Sequence, residues 1–324
     1  MPKQMISELN PDISVSGCFV VHEVELRPLS GKHGKYLHLI LGDASGQITA
    51  RLWDATVEAL EACPVGTPLL VQGTTQRYQE ELQVKIQTLR PAKPGEYQED
   101  ELQPRRGKDP EAQRLALAGW VKAVRQPHLA ALLEAFFGDP TFLARFLRAP
   151  AAMRIHHAYN GGLLDHTLAV LRLLETTMAD HPGMDRDLLI AGALLHDVGK
   201  VETYLPQGLA FRISDAGRLL DHIILGEQLV MTFVAAIPGF SPELVLHLDH
   251  LILSHHGTRE NGSPVLPMTT EAIALHQADN LDAQVQRFQE LIGQTPPGER
   301  WTAYQTTLGR SLFCPPRPTA DEHC

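Results

Sequence analysis

The sequence predicts two domains of different class, a small all-β barrel followed by an all-α helical bundle. Three observations predict it. The chain has 324 residues, and single cores rarely grow past about 250–300 residues, so the length asks for two. Residues 12–91 read as short strands separated by turn signals, whereas helical periodicity takes over from Ala112. Between them, residues 92–112 place Pro94, Gly95, Pro104, Gly107 and Pro110 among charged residues, the composition of a linker.

The strands come in order. Val15 to Leu26 is rich in β-compatible residues. Residues 36–41 form an apolar run, and Asp43 to Gly46 is a turn signal. Residues 47–53 alternate, with Ile48, Ala50 and Leu52 on one face. Val57 to Leu60 suits a short helix, and residues 69–73 and 82–86 give two more strands. Five short strands with one short helix before the fourth is the order of an OB-fold barrel; another small β-barrel is the alternative.

The second half predicts helices over 112–124, 129–137, 140–149, 163–180, 184–195, 218–237, 242–253 and 270–291, with a small hairpin over 201–213 around Pro206 and Gly208. After Thr307, Pro315, Pro316 and Pro318 predict an extended, frayed end. The expected boundaries are 1–91 for the barrel, 92–112 for the linker, 113–310 for the helical domain and 311–324 for the tail.

Composition excludes several classes. A hydrophobic fraction of 44% with 20% charged residues fits a globular chain. No apolar h-region opens the sequence and no run approaches the roughly 20 apolar residues of a membrane span, so no membrane partner is expected. Cys18, Cys63, Cys314 and Cys324 are scattered without a Cys-x-x-Cys pair, which argues against a disulfide framework or thiolate zinc and for a reducing, cytoplasmic setting. The net charge of −10 argues against gripping nucleic acid by bulk electrostatics. Residues 1–91 are near neutral, with 8 basic and 10 acidic residues, so most of the negative charge lies in the helical half, where divalent cations would offset part of it.

That half carries His166, His196, Asp197, His222, His255, His256 and Asp279. N and O donors of these types on helical segments suggest a metal site assembled from several helices, and such a site usually means hydrolysis. Single histidines such as His128, His181, His247 and His276 are covered by an ordinary core or surface role. The His196-Asp197 pair ends the apolar run 188–195, and Gly199 reads as a helix stop. An ionised Asp197 would meet the unfavourable end of the helix dipole there, which a cation would offset. Asp279 sits one turn after Leu275 in an apolar helix, where a carboxylate needs a partner.

His166, His196-Asp197 and Asp279 resemble the H…HD…D pattern of the HD-domain metal-dependent phosphohydrolases, and His222 with His255-His256 resembles the extra histidines of their two-metal members. The likeness extends along the chain. Leu37-His-Leu-Ile-Leu-Gly-Asp43 and Gly46-Gln-Ile-Thr-Ala-Arg-Leu-Trp-Asp54 in the barrel, then Pro150-Ala-Ala, the run from His156-His157 to His166-Thr, His196-Asp-Val-Gly-Lys200, Leu253-Ser-His-His-Gly257, Ala278-Asp-Asn-Leu-Asp282 and Leu308-Gly-Arg310, are similar to the YhaM-type 3′→5′ exoribonuclease family, also described as CMP-binding-factor-like. The expected fold class is therefore multidomain, an N-terminal all-β OB-fold barrel followed by an all-α HD-domain helical bundle.

The resemblance implies two divalent ions, manganese first, then iron, cobalt, nickel or zinc. His166, His196, Asp197 and Asp279 would hold one; Asp197, His222, His255 and His256 would hold the other. It implies a metal-dependent 3′-5′ exonuclease that hydrolyses single-stranded RNA, and DNA as a further candidate, to 5′-mononucleotides, with room for a homo-oligomer. Asp197 and Lys200 are the candidate catalytic residues; Lys200 would meet the scissile phosphate or assist the leaving group, against a solvated lysine at a helix end. Candidate substrate-binding residues are His156 and His157 (phosphate contacts or support of the ligands), Arg310 (phosphate, or an ordinary surface arginine), and Lys35, Arg51 and Trp53 on the barrel, where Trp53 is either a stacking platform or core. The barrel's few aromatics and balanced charges make its grip on a strand a separate expectation from the metal chemistry. Two other functions stay open: an HD-type nucleotide or cyclic-dinucleotide phosphohydrolase, and a non-catalytic nucleic-acid-binding regulatory protein.

Overall fold

The computed structural model describes residues 4–29, 34–78, 81–103, 109–153, 157–296 and 298–316. Its N-terminal part holds β1 (Ser14–Pro28), β2 (Lys35–Asp43), β3 (Gly46–Leu52), helix α1 (Val57–Glu61), β4 (Pro68–Tyr78) and β5 (Glu81–Pro91). Alternation sets which face turns inward: Leu37, Leu39 and Leu41 of β2 and Ile48 and Ala50 of β3 join one core with Val15, Phe19, Leu69 and Val84. Strand β1 serves two neighbours, β4 through residues 14–20 and β2 through residues 20–28. The sheet thereby closes as a barrel in the order β1-β2-β3-β5-β4, with β3 and β5 parallel. This is the OB-fold the strand order predicts. The register of β1 slips between Val21 and Glu23, which puts His22 in a bulge. A Cβ at Gly42 would run into the His22 ring, so glycine is what lets the bulge fit there.

The helical part contains α2 (Pro110–Ala123), α3 (Pro127–Gly138), α4 (Pro140–Phe146), α5 (Gly162–Asp180), α6 (Arg186–Leu195), α7 (Lys200–Thr203), the hairpin β6 (Tyr204–Gln207) and β7 (Ala210–Ile213), α8 (Asp215–Ala235), α9 (Pro242–Ser254) and α10 (Thr270–Gly293). Three helices start by one device, a capping side chain followed by proline. Asp109 accepts from Glu111 N, Gln126 from Leu129 N and Asp139 from Thr141 N. The cap satisfies an orphan amide, and proline costs nothing where no N–H is needed. The apolar faces meet in one core that includes Leu132, Leu133, Phe136, Phe146 and Leu171, each contributing about 1.5–3 kcal/mol by leaving water.

The two compact units follow contact rather than chain order. One comprises residues 1–105, 206–212 and 287–324, the other residues 106–205 and 213–286. This differs from the single helical domain expected over 113–310. The hairpin tip joins the barrel unit because Leu209 N donates to Gly66 O and Ala210 packs with Cys18, Val20 and Leu102. The stretch expected as linker is packed as far as residue 103: Leu102 is fully buried and Glu101 O accepts from Ala44 N. Its charges hid the few apolar residues that anchor it. The C-terminal stretch also departs from a frayed tail as far as Pro316. Trp301 pairs with Phe313, Gln305 pairs with Arg310, and Leu312 is buried.

Candidate metal centre

Five helices of the second unit supply the site. His166 lies in the second turn of α5, and His196-Asp197 follow the end of α6. His222 lies in α8, His255-His256 follow α9, and Asp279 lies in α10. Two backbone features let them converge. A Cβ on Gly199 would collide with His222 O and Gly226 N, so α8 can reach the His-Asp turn only because residue 199 is glycine. The helix before it ends at Leu195, close to the expected stop, and Gly199 itself has ordinary right-handed backbone (φ −63°, ψ −17°) and opens the next short helix. Asp221 breaks α8 with φ 64° and ψ 164°, a conformation that costs a non-glycine residue about 1–3 kcal/mol. Its carboxylate accepts from the His222 backbone N at 2.6 Å and from Nδ1 at 2.7 Å, so the break serves to aim the next residue.

The imidazoles are all tied in the same sense. The Nδ1 of His196 donates to Ala193 O (2.9 Å), that of His255 to Ile252 O (2.7 Å) and that of His256 to Asn261 O (2.8 Å). His222 Nδ1 donates to Asp221, and His166 Nδ1 donates to Asp282 Oδ2 at 2.7 Å. Carbonyl and carboxylate oxygens only accept, so every Nδ1 carries its proton and every Nε2 is the atom left for the site.

Those atoms form two groups about Asp197. Its Oδ2 lies 3.3 Å from His196 Nε2 and 3.6 Å from His166 Nε2; the two Nε2 atoms are 3.4 Å apart, and His166 Nε2 is 3.1 Å from Asp279 Oδ1. Its Oδ1 lies 3.4 Å from His222 Nε2 and 3.8 Å from His255 Nε2. His222, His255 and His256 each offer a ligand atom within 4.8 Å of the others, as do His166, His196 and Asp197. Metal–donor bonds of about 2.1 Å put neighbouring donors roughly 3.0–3.4 Å apart, close to these separations. Asp197 Oδ1, His222 Nε2 and His255 Nε2 are buried without a hydrogen-bond partner among the described residues. Orphaned polar atoms are costly in a core, and three aimed at one place fit a bound cation. The donor set suits a divalent transition metal.

The electrostatics agree. Burial would raise the Asp197 carboxyl, but Lys200 and His196 overcome this and hold it well below the usual range. Asp279 is likewise kept ionised against burial by its bond to His166. Burial would lower His166, yet its bonds to Asp279 and Asp282 push it up to about 9. Burial holds His255 well below its ordinary value, and the neighbouring His196 and His256 add to this.

The structure sorts the other candidates. Lys200 is buried, with Nζ 2.6 Å from Asp197 Oδ2, so it is no solvated lysine. His157 is 3% exposed with both ring nitrogens engaged, Nε2 with Asp282 and Nδ1 with Tyr159, a placement that supports the ligands and leaves it no free nitrogen for a phosphate. His156 lies outside the described residues. Lys35 begins β2 and is exposed. Trp53, half-buried and outside the barrel core, lies 5.0 Å from the Tyr36 ring. Arg51 lies over both Tyr36 (5.8 Å) and Tyr78 (5.0 Å). Arg310 is exposed, packs over Phe288 at 5.5 Å, and belongs to the barrel unit rather than the unit of the histidines. Sequence reasoning passed over Asp221 and Asp282 as site residues. Their signal was position: one precedes His222, and the other lies one turn beyond Asp279.

Fold and site define a class first, that of hydrolases joining an OB-fold to an HD domain. The HD domain model matches residues 163–284, and that of an OB-fold nucleic acid binding domain matches residues 19–92. The chain is 32% identical over 305 residues to the 3'-5' exoribonuclease YhaM of Shouchella clausii (strain KSM-K16), covering 92% of both chains. It is also 32% identical over 287 residues to the protein of that name from Geobacillus sp. (strain WCH70), covering 86% of both, and 32% identical over 285 residues to that from Bacillus licheniformis, covering 86% of this chain and 88% of the other. The chain belongs to the 3'-5' exoribonuclease YhaM family, and it is an enzyme of the hydrolase class.

Proposed function

We propose that this protein is a metal-dependent exonuclease that removes 5′-mononucleotides from the 3′ end of single-stranded RNA. The observation that carries the reading is the position of Asp197, whose two carboxylate oxygens face two separate histidine groups. His166, His196, Asp197 and Asp279 would hold one divalent ion, and Asp197, His222, His255 and His256 the other, with manganese the first choice. Such ions supply Lewis-acid charge at phosphorus and activate water near neutral pH. The protein's own groups do the rest. The fixed tautomers keep every Nε2 presented without reorganisation. Lys200 brings a fixed cation to the same carboxylate, where it can meet a phosphoryl oxygen as negative charge develops or pass a proton toward the leaving ribose 3′-oxygen. The P–O3′ bond breaks as water's oxygen bonds to phosphorus, which leaves a 5′-phosphate on the released nucleotide.

On the barrel, Tyr36, Trp53 and Tyr78 offer rings to bases, and Arg51 and Lys35 offer charge. Arg51 is paired in register with Lys85 on β5, so two basic residues lie side by side across β3 and β5 despite the acidic chain. The test digests 5′-labelled and 3′-labelled RNA and DNA oligonucleotides in parallel, with metal content measured on the same preparation. A 3′ label released at once as mononucleotide, a 5′ label shortening stepwise, and loss of both with chelator are expected. Release of the 5′ label first, or full turnover without bound metal, would sink the reading.

A further inference from the structure

Of the five tied imidazoles, His166 alone depends on a side chain from a different helix. His196, His255 and His256 donate to backbone carbonyls, and His222 donates to its neighbour Asp221. His166 on α5 donates instead to Asp282 on α10. We propose that Asp282 is a positioning residue for the first metal subsite, and that His157, Tyr159 and Asp165 complete a buried relay that fixes it. The proposal rests on the metal-centre reading above.

The relay closes a ring. Asp282 Oδ2 accepts from His166 Nδ1 at 2.7 Å and from His157 Nε2 at 3.1 Å. His157 Nδ1 meets the Tyr159 hydroxyl at 3.0 Å, and that hydroxyl donates to Asp165 Oδ2 at 2.7 Å. Asp165 immediately precedes His166, which returns the path to its start, and Gln113 of α2 donates to the other Asp165 oxygen. Asp282 is a carboxylate and only accepts, so His157 Nε2 donates to it, and two imidazole N–H groups hold the same Asp282 oxygen beneath His166.

The backbone is shaped for this. His157 has φ 53°, in the left-handed region that favours glycine. Its carbonyl accepts from Ala151 N at 3.1 Å and occupies the space that a Cβ on Gly162 would need. His157 and Asp165 are both buried. The turn at His157 and the first turn of α5 at Asp165 thus bury two titratable side chains, and the contact of His157 with Asp282 is how that turn reaches the first subsite. A carboxylate behind a ligating imidazole fixes its ring orientation and raises the basicity of the far nitrogen. Here that nitrogen, His166 Nε2, faces Asp279 and Asp197. The other anchors contain no equivalent side chain from a distant helix, so Asp282 is the point where the first subsite can be weakened while the second is left alone.

The test uses the full-length protein stripped with chelator and titrated with Co²⁺, read by calorimetry and by the visible Co²⁺ spectrum, with thermal melting of the metal-free forms alongside. The wild type should bind two ions. Asp282→Asn should weaken one site by about 10–100-fold, alter the spectrum of that site, and leave the other unchanged. His157→Ala should reproduce the split in milder form, and His157→Gln, which keeps a donor toward Asp282, should restore wild-type affinity. If Asp282→Asn melts early, the two His157 variants decide. Equal weakening of both sites, or wild-type affinity at both in Asp282→Asn and His157→Ala, overturns the proposal while leaving the metal centre standing. A wild type that binds no Co²⁺ overturns the metal-centre reading and this inference with it.

Discussion

In the helical unit, the candidate ligands are buried or half-buried, with the imidazoles tied at one ring nitrogen and gathered about Asp197. On the barrel, Tyr36, Arg51, Trp53 and Tyr78 lie half-buried or exposed and hold one another by ring and guanidinium contacts. The first arrangement is all-or-none, because removing one member strands its partners in a core where an unpaired polar group is costly. The second is graded, because water can replace any contact that is lost. Chemistry that depends on fixed charge belongs in the first, and tolerance of many base sequences in the second.

The comparison breaks hardest at Asp197. Asp197→Ala should lower kcat by about a thousandfold or more and reduce bound metal, since it removes the group facing both histidine clusters and leaves Lys200 unpaired. Activity and metal stoichiometry that both survived would refute the assignment of the site. Gly199→Ala should come next. Its Cβ must push α8 away from the His-Asp turn, which should cost about 3 kcal/mol in stability by overpacking and loosen metal at His222. Thermal melting with metal titration reads both, and a variant that melts and binds like the wild type would show that α8 gives way freely.

The barrel has its own buried titration. Burial lowers His22 from 6.5 to about 4, so the unfolded chain takes up its proton first as pH falls. The contribution of His22 should be complete above about pH 6.5, decline through the window from 6.5 to 4 and amount to at most about 3 kcal/mol. His22→Gln should flatten that limb in melts of the full chain, and superimposable acid profiles for variant and wild type would remove His22 as the cause. The smallest effect is expected on the exposed face. Trp53→Ala should raise KM on long single strands about tenfold, with kcat on short oligonucleotides unchanged, because one stacked base contributes about 1–3 kcal/mol. An equal loss on short and long substrates would assign Trp53 to the barrel's integrity instead. Point substitutions sharpen this comparison better than removal of residues 1–91, because residues 206–212 and 287–316 share the barrel's unit and would lose their packing partner.

Much of this was legible beforehand. The five strands and the helix before the fourth were readable because alternation with period two survives in Leu37, Leu39 and Leu41 and in Ile48 and Ala50. The helix start at Asp139-Pro140 was readable from a capping residue before proline, whereas the same device at Asp109-Pro110 and Gln126-Pro127 was passed over and those helices were expected to begin two residues later. The seven candidate ligands were readable because His and Asp are out of place on apolar helices. Lys200 was readable as a candidate beside the His-Asp pair, but its burial against Asp197 was not, because a lysine at a helix end looks the same whether it is solvated or buried against a carboxylate. Gly199 was readable only as a helix stop, and only the approach of α8 shows that it also clears space.

The sequence by itself determined the two fold classes, the order of their elements and the set of metal-competent side chains, since these follow from local periodicity and residue chemistry. Only the tertiary structure decided which Nε2 faces which oxygen of Asp197, which acceptor ties each Nδ1, and which stretches of a nominal linker and tail belong to the barrel's unit. Those depend on contacts between residues far apart in the chain, such as His166 with Asp282 and Leu209 with Gly66, and no local pattern encodes the angle at which two helices meet.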